Sequence, residues 1–202
     1  MAGVVNPSDI REETTGDLTG LGALLQQIVG QPFLFFRETY GDELTIHFGA
    51  LKEVMSPKLR KRQRGSYVLT LRGSVWKIEG GATPGLYLTG PVAFPPGSTS
   101  ELKPFPLAAF EQQPPIEPGA IVITAKPFLD TEYGGGIGVY FVFSDRSLIV
   151  IRPNPADLIL EADPDLPRIA DWELFTPHSR YLRVGPGSVW SYTASKRDVP
   201  SA

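Results

Sequence analysis

Five positive side chains crowd into seven positions at Lys58, Arg60, Lys61, Arg62 and Arg64, just ahead of Tyr67. Cations at this density can neutralise phosphates and a nearby ring can stack on an unpaired base, so the stretch is a nucleic-acid footprint. A solvated basic loop is the plain alternative. Ser74 and Ser188 each follow a glycine, which invites a hydroxyl nucleophile. Neither sits in Gly-x-Ser-x-Gly, and the only candidate bases are His47, on the polar side of its strand, and His178. The carboxylates Glu38, Asp42, Glu43, Glu79, Asp130 and Glu132 fall near expected strand ends, where an acid and a base could be paired, but nothing along the chain singles out two of them. The run Tyr133 to Gly138 is glycine-rich yet lacks the Gly-Lys-Ser/Thr and following helix of a phosphate loop, and reads as a tightly turned strand entry. No catalytic residue is assigned.

Composition narrows the chemistry further. The 202 residues contain no cysteine, which excludes disulfides, thiolate zinc, iron–sulfur clusters and a cysteine nucleophile. With two histidines, a metal site would rest on carboxylates, and no cofactor or metal is expected. The formal charge of −3 gives no global attraction to nucleic acid or anionic lipid, so any such contact must be local. Met1 to Asp17 has neither the basic start nor the apolar core of a signal peptide, and no apolar run is long enough to span a bilayer. The expectation is a cytoplasmic protein with no membrane partner.

The elements that would carry these residues are mostly short antiparallel strands. Residues 1–17 are polar and read as loose. Leu18, Leu21, Leu25 and Ile28 recur at helical steps, with Gly30 placed to end the helix in the left-handed conformation. Phe33 to Arg37 and Leu44 to Phe48 form a strand pair around Tyr40-Gly41-Asp42-Glu43. Tyr67 to Leu71 and Val75 to Ile78 read as another pair. Ala120 to Thr124, Val139 to Phe143 and Leu148 to Ile151 are strand-like, the last two apolar enough to be central. The proline-dense stretch 84–118 excludes a continuous helix or central strand. Its Phe94, Phe105, Leu107 and Phe110 favour a connector packed on the body, with a helical turn near Leu107 to Gln112, over a flexible linker.

One half echoes the other. Gly-Ser-Val-Trp occurs at Gly73 to Trp76 and at Gly187 to Trp190, with Tyr67 and Tyr181 each nine positions before the tryptophan. Pro-Phe-Leu precedes apolar strands in both halves, at Pro32 to Leu34 and Pro127 to Leu129. The expectation is a mainly β, α+β fold of two diverged repeats, 18–83 and 119–195, joined by the connector 84–118 and followed by a tail, 196–202. Between strand pair and tryptophan the first half is basic, whereas the second carries Asp157, Glu161, Asp163, Asp165, Asp171 and Glu173. The two intervals could face one another within the molecule or across a homodimer. The aromatic segment Asp171 to Tyr192 reads as a hairpin. Its Trp172, Phe175, Tyr181 and Trp190 either fill the core or offer an exposed anchor, so Trp76, Trp172, Tyr181 and Trp190 are the candidates for contact with a partner.

The turn-linked apolar pairs with their tryptophan strands, Phe33 to Phe48 with Trp76 and Val139 to Ile151 with Trp190, resemble the small bacterial β-rich domains that include polymorphic-toxin immunity proteins. The resemblance covers about half of the chain and implies inhibition by surface complementarity, with no catalytic residues. The acidic excess would suit a basic partner. Three functions are therefore expected in order: a non-enzymatic protein-binding module of immunity type, a nucleic-acid-binding accessory protein working through Lys58 to Arg64, and a small-molecule-binding or hydrolytic domain with a cleft between the repeats.

Overall fold

A computed structural model describes residues 11–13, 18–38, 44–55, 61–71, 75–79, 87–89, 114–131, 136–153, 172–177, 180–185 and 189–194. It is mainly β, with two antiparallel sheets and one short helix. The helix α1, Leu18–Leu25, runs into a 3-10 turn, Gln26–Ile28, and buries Leu21, Leu25 and Ile28 as their spacing predicts. Gly30 then takes φ +85°, a conformation that side chains rarely adopt. The helix packs on β7, with Gly22 facing the Pro127 ring.

The strands are β1 (Arg11–Glu13), β2 (Phe33–Glu38), β3 (Leu44–Met55), β4 (Lys61–Leu71), β5 (Val75–Glu79), β6 (Tyr87–Thr89), β7 (Val122–Asp130), β8 (Gly136–Phe143), β9 (Leu148–Arg152), β10 (Trp172–Thr176), β11 (Arg180–Gly185) and β12 (Val189–Ala194). Seven form one sheet in the order β1-β12-β11-β10-β4-β3-β2, and five form the other, β6-β5-β9-β8-β7. The apolar strands β8 and β9 are interior to the second sheet, as expected. Two expectations need correction. Residues 11–13 are not loose but pair with β12. Strands β4 and β5 do not pair with each other, because the chain crosses between sheets after Leu71. Within the proline-rich connector, Tyr87–Thr89 is a strand on β5 and Ile116 is fully buried. The helical turn near Leu107 to Gln112 and the Tyr40 to Glu43 turn lie outside the described residues.

The two halves trade strands reciprocally. The meander β2-β3-β4 belongs to the large sheet and β7-β8-β9 to the small one. Each chain half then crosses over, β5 pairing with β9 and β10 pairing with β4. Exchanging the halves preserves the pairing residue by residue. Phe33 pairs with Phe48 as Val122 pairs with Phe143, and both ladders shift register directly afterwards. Trp172 pairs with Leu71 as Trp76 pairs with Ile151, and Leu174 with Leu69 as Ile78 with Ile149. The bridge Pro32 to Ile121 lies at the centre of this exchange, flanked by matched hydrogen bonds. The Gly30 N–H donates to Val122 O and the Gly119 N–H to Phe33 O, each at 2.8 Å, and Gly119 shares the positive φ, +92°.

This register overturns the correspondence drawn from Gly-Ser-Val-Trp. Trp76 lies in β5 of the small sheet, between β6 and β9, whereas Trp190 lies in β12 between β11 and β1, so the two tryptophans occupy unrelated places. The equivalent of Trp76 is Trp172. Between the sheets Phe48 meets its counterpart Phe143 with planes 10° apart and centroids separated by 6.2 Å, and Phe33 meets Phe143 edge-on.

Candidate functional site

The two outer faces differ where the inner ones are alike. On the outer face of the small sheet, Tyr140, Val142, Leu148 and Val150 are half-buried and mostly apolar. The matching positions on the large sheet are Thr45, His47, Val68 and Thr70, all buried. Burying hydroxyls and an imidazole on a sheet surface is costly unless they are bonded, so this face is where the chemistry has been placed.

Cross-strand register arranges it in two rows. The polar row runs Arg37, Thr45, Thr70, Glu173, Arg183 and Ser191 across β2, β3, β4, β10, β11 and β12. The aromatic row beside it runs Phe35, His47, Val68, Phe175, Tyr181 and Thr193. Period-two alternation puts each row on a single face. The Phe35 ring stacks on His47 at 4.4 Å, and the Arg37 guanidinium lies over the same Phe35 ring, 5.1 Å from its centroid. Phe175 stacks on Tyr181 at 5.5 Å and carries the Arg64 guanidinium at 5.7 Å. Arg183 approaches Glu173 at 3.6 Å.

His47 is the hub. The Gly65 N–H donates to its Nδ1 at 3.1 Å, which leaves the ring proton on Nε2. Nε2 lies 3.3 Å from Thr45 Oγ1, and that hydroxyl donates to the Arg37 carbonyl at 3.0 Å. Burial first, and then the charges of Arg37 and Arg64, lower the imidazole to about 3, so it is a neutral structural group at ordinary pH. Burial and the neighbouring Arg62 likewise lower Arg37. The cations here oppose one another: among the described residues, no carboxylate comes within ion-pair distance of Arg37, Arg62 or Arg64.

From Leu51 onward β3 pairs only with β4, as a two-stranded ribbon that leaves the sheet. The second half has no such extension, since β8 turns into β9 through Ser144 to Ser147. Lys61, Arg62 and Arg64 therefore stand on a strand, not in the basic loop expected of them; Lys58 and Arg60 lie outside the described residues. Exposed Lys61 pairs with exposed Glu53 at 3.2 Å, a contact worth roughly 0–1 kcal/mol. Arg37 ties the ribbon down by donating from Nη2 to Gln63 O at 3.0 Å.

The ribbon root depends on Gly65. A Cβ there would sit 2.6 Å from Phe48 O and 2.8 Å from Phe48 N, backbone atoms of the neighbouring strand that cannot rotate away. Gly65→Ala is expected to cost about 1–3 kcal/mol, the range for overpacking. An unchanged urea midpoint would contradict the close approach.

The other sequence candidates fall elsewhere. Trp76, Trp172 and Trp190 are 4%, 0% and 1% exposed, so they fill the core and offer no anchor to a partner. Tyr181 alone of the four reaches the outer face. Asp130 is buried and lies 3.6 Å from Arg152. Ser74, Ser188, His178, Asp42, Glu43, Glu132 and the acidic residues from Asp157 to Asp171 lie outside the described residues. Glu173, the last of that acidic set, faces Arg183 on its own sheet. Among the described residues no three His, Asp or Glu side chains gather as metal ligands, and no helix is long and apolar enough to cross a membrane. The chain matches no family model, no curated protein and no solved structure.

The sequence flagged His47 as a base on the polar side of its strand and missed its role as the pin of the ribbon. Arg37, Thr45, Thr70, Phe35 and Arg183 were missed as site residues, since cross-strand register alone brings them together.

Proposed function

We propose that the protein acts by binding a partner protein through the outer face of the large sheet and its basic ribbon, with immunity-type inhibition in the cytoplasm as the sharpest form of that reading. One observation carries it: Arg37, Arg62 and Arg64 gather on this face with no carboxylate of the described residues within ion-pair distance of them, Glu173 being engaged by Arg183, and Arg37 and Arg64 lie over phenylalanine rings. Arginine held over an aromatic ring has little side-chain entropy left to lose, and such pairs concentrate binding energy at interfaces. The guanidinium edges then present hydrogen-bond donors suited to bidentate carboxylates. The net charge of −3 pointed to a basic partner; the local charge of this face argues for an acidic one.

Nucleic-acid binding is the less favoured reading, because the rings that would stack on bases are already covered, Phe35 by His47 and Arg37, Phe175 by Tyr181 and Arg64. The same proposal takes the two halves as diverged copies of one unit, a descent supported by their reciprocal registers. After duplication, one copy gained the ribbon and the polar outer face.

Pull-down from the native host with the intact chain and with an Arg37→Glu, Arg62→Glu, Arg64→Glu triple variant tests the function. The expected result is an acidic protein retained by the first and lost by the second. Recovery of no protein, retention by the triple variant, or salt-sensitive recovery of single-stranded nucleic acid instead would each defeat the reading.

A further inference from the structure

The inner face of the large sheet changes character toward one end. Leu69, Leu174 and Leu182 form an apolar row across β4, β10 and β11. Nearer that end Tyr67, Thr176 and Arg180 take the inner positions of the same strands. There a cavity of about 390 Å³ opens, lined by Gln27 after helix α1, Tyr67, Pro177, Arg180 and Tyr192. The volume lies within the range of small-molecule pockets.

The lining is rich in donors. The Tyr67 phenol, the Gln27 amide and the Arg180 guanidinium can all donate hydrogen bonds, and none of the described lining residues carries a carboxylate. Tyr67 is the telling member. It is 9% exposed and lines the cavity. Burial and the adjacent Tyr192 raise Tyr67 above the ordinary phenol range, which keeps it a protonated donor. Tyr192 is fixed by Thr176, whose Oγ1 lies 3.4 Å from the Tyr192 hydroxyl, and by the Arg180 guanidinium 5.9 Å from its ring centroid. Thr176 Oγ1 also lies 3.1 Å from the Arg180 carbonyl and donates to it, which holds the turn that places Arg180 at the rim.

We propose that this cavity binds the oxyanion group of a small organic acid or phosphate ester, with Tyr67, Gln27 and Arg180 as its donors and Pro177 and the Tyr192 ring as its walls. The site draws on both halves of the chain, and it is separate from the outer face proposed to dock a protein.

The test is ring-resolved NMR of the full-length, tyrosine-labelled protein titrated with benzoate or inorganic phosphate at constant ionic strength. Saturable shifts confined to Tyr67 and Tyr192 are expected. Arg180→Gln should weaken the affinity about tenfold or more, as the loss of a charged hydrogen bond does. Arg180 is exposed, so the substitution leaves the core untouched, and Tyr67→Phe provides a second, nearly isosteric check that should weaken binding severalfold. Saturation by benzoate alone identifies an organic acid, and saturation by phosphate alone identifies a phosphate ester. No saturable shift with either anion, or equal affinity in both variants, overturns the proposal.

Discussion

Trp172→Ala is expected to destabilise the protein by about 3–5 kcal/mol, the usual cost of removing a fully buried large aromatic side chain. Trp172 stands on β10 in the large sheet with no exposed surface, and its Nε1 donates to the carbonyl of Ile137 on β8 in the small sheet at 3.0 Å. The ring fills space between the layers while its N–H fastens one layer to the other. Trp172→Phe separates the two contributions. It keeps most of the apolar contact and leaves the Ile137 carbonyl without its partner, so a smaller loss, about 1–3 kcal/mol, is expected. Urea unfolding followed by circular dichroism reads both. A loss under about 1 kcal/mol for the alanine variant would mean that the two sheets are not joined through this residue.

Trp172 also marks what could be read along the chain and what could not. Strands β2, β3, β8 and β9 were legible because Leu44, Ile46 and Phe48 alternate with polar neighbours and because Val139 to Phe143 and Leu148 to Ile151 are nearly continuous apolar runs. The likeness between the halves was sought in Gly-Ser-Val-Trp, and that local identity misled. Gly-Ser-Val-Trp matches along the chain, whereas the true correspondence of Trp76 with Trp172 exists only across strands, where each opposes the last apolar residue of a partner meander. A strand swap between halves leaves no mark in one-dimensional spacing. The ribbon was read as a loop for a related reason. Two exposed strands need no apolar alternation, so Lys61 to Arg64 carries only charge. The polar Arg11–Glu13 became a strand because β12 offered it an edge, which no property of those three residues announces.

The site shows the same division. Alternation puts Thr45 and His47 on the side away from the core, and that much follows from sequence. Their burial does not, since it depends on neighbouring strands, from one of which, β2, Phe35 stacks on the His47 ring. That packing makes the site a fixed array, with Arg37 and Arg64 seated on rings and the ribbon root bonded to an imidazole. An array held this way presents its charges without first ordering them, which is what a docking face requires.

Because His47 holds that array together as a neutral ring, acid should dismantle it. In the unfolded chain the imidazole titrates near 6.5, whereas in the folded protein it is lowered to about 3. Between those values the unfolded state binds a proton that the folded state refuses. Stability is therefore complete above about pH 6.5 and falls as pH drops toward 3, by about 1.4 kcal/mol per unit from this one group. Over two units the loss is about 3 kcal/mol, a large share of the stability of a domain this size. Carboxylates titrate in the lower part of the same range, so the comparison must isolate the imidazole. His47→Asn does so: its Oδ1 can stand where Nδ1 accepts the Gly65 N–H, and it cannot be protonated. Urea unfolding at pH 7.5 and pH 5 should show the original protein losing about 2 kcal/mol more than the variant across that interval. Equal losses would mean that His47 already binds its proton in the folded state, and the chain of bonds from Gly65 through Thr45 to Arg37 would then have to run in another direction.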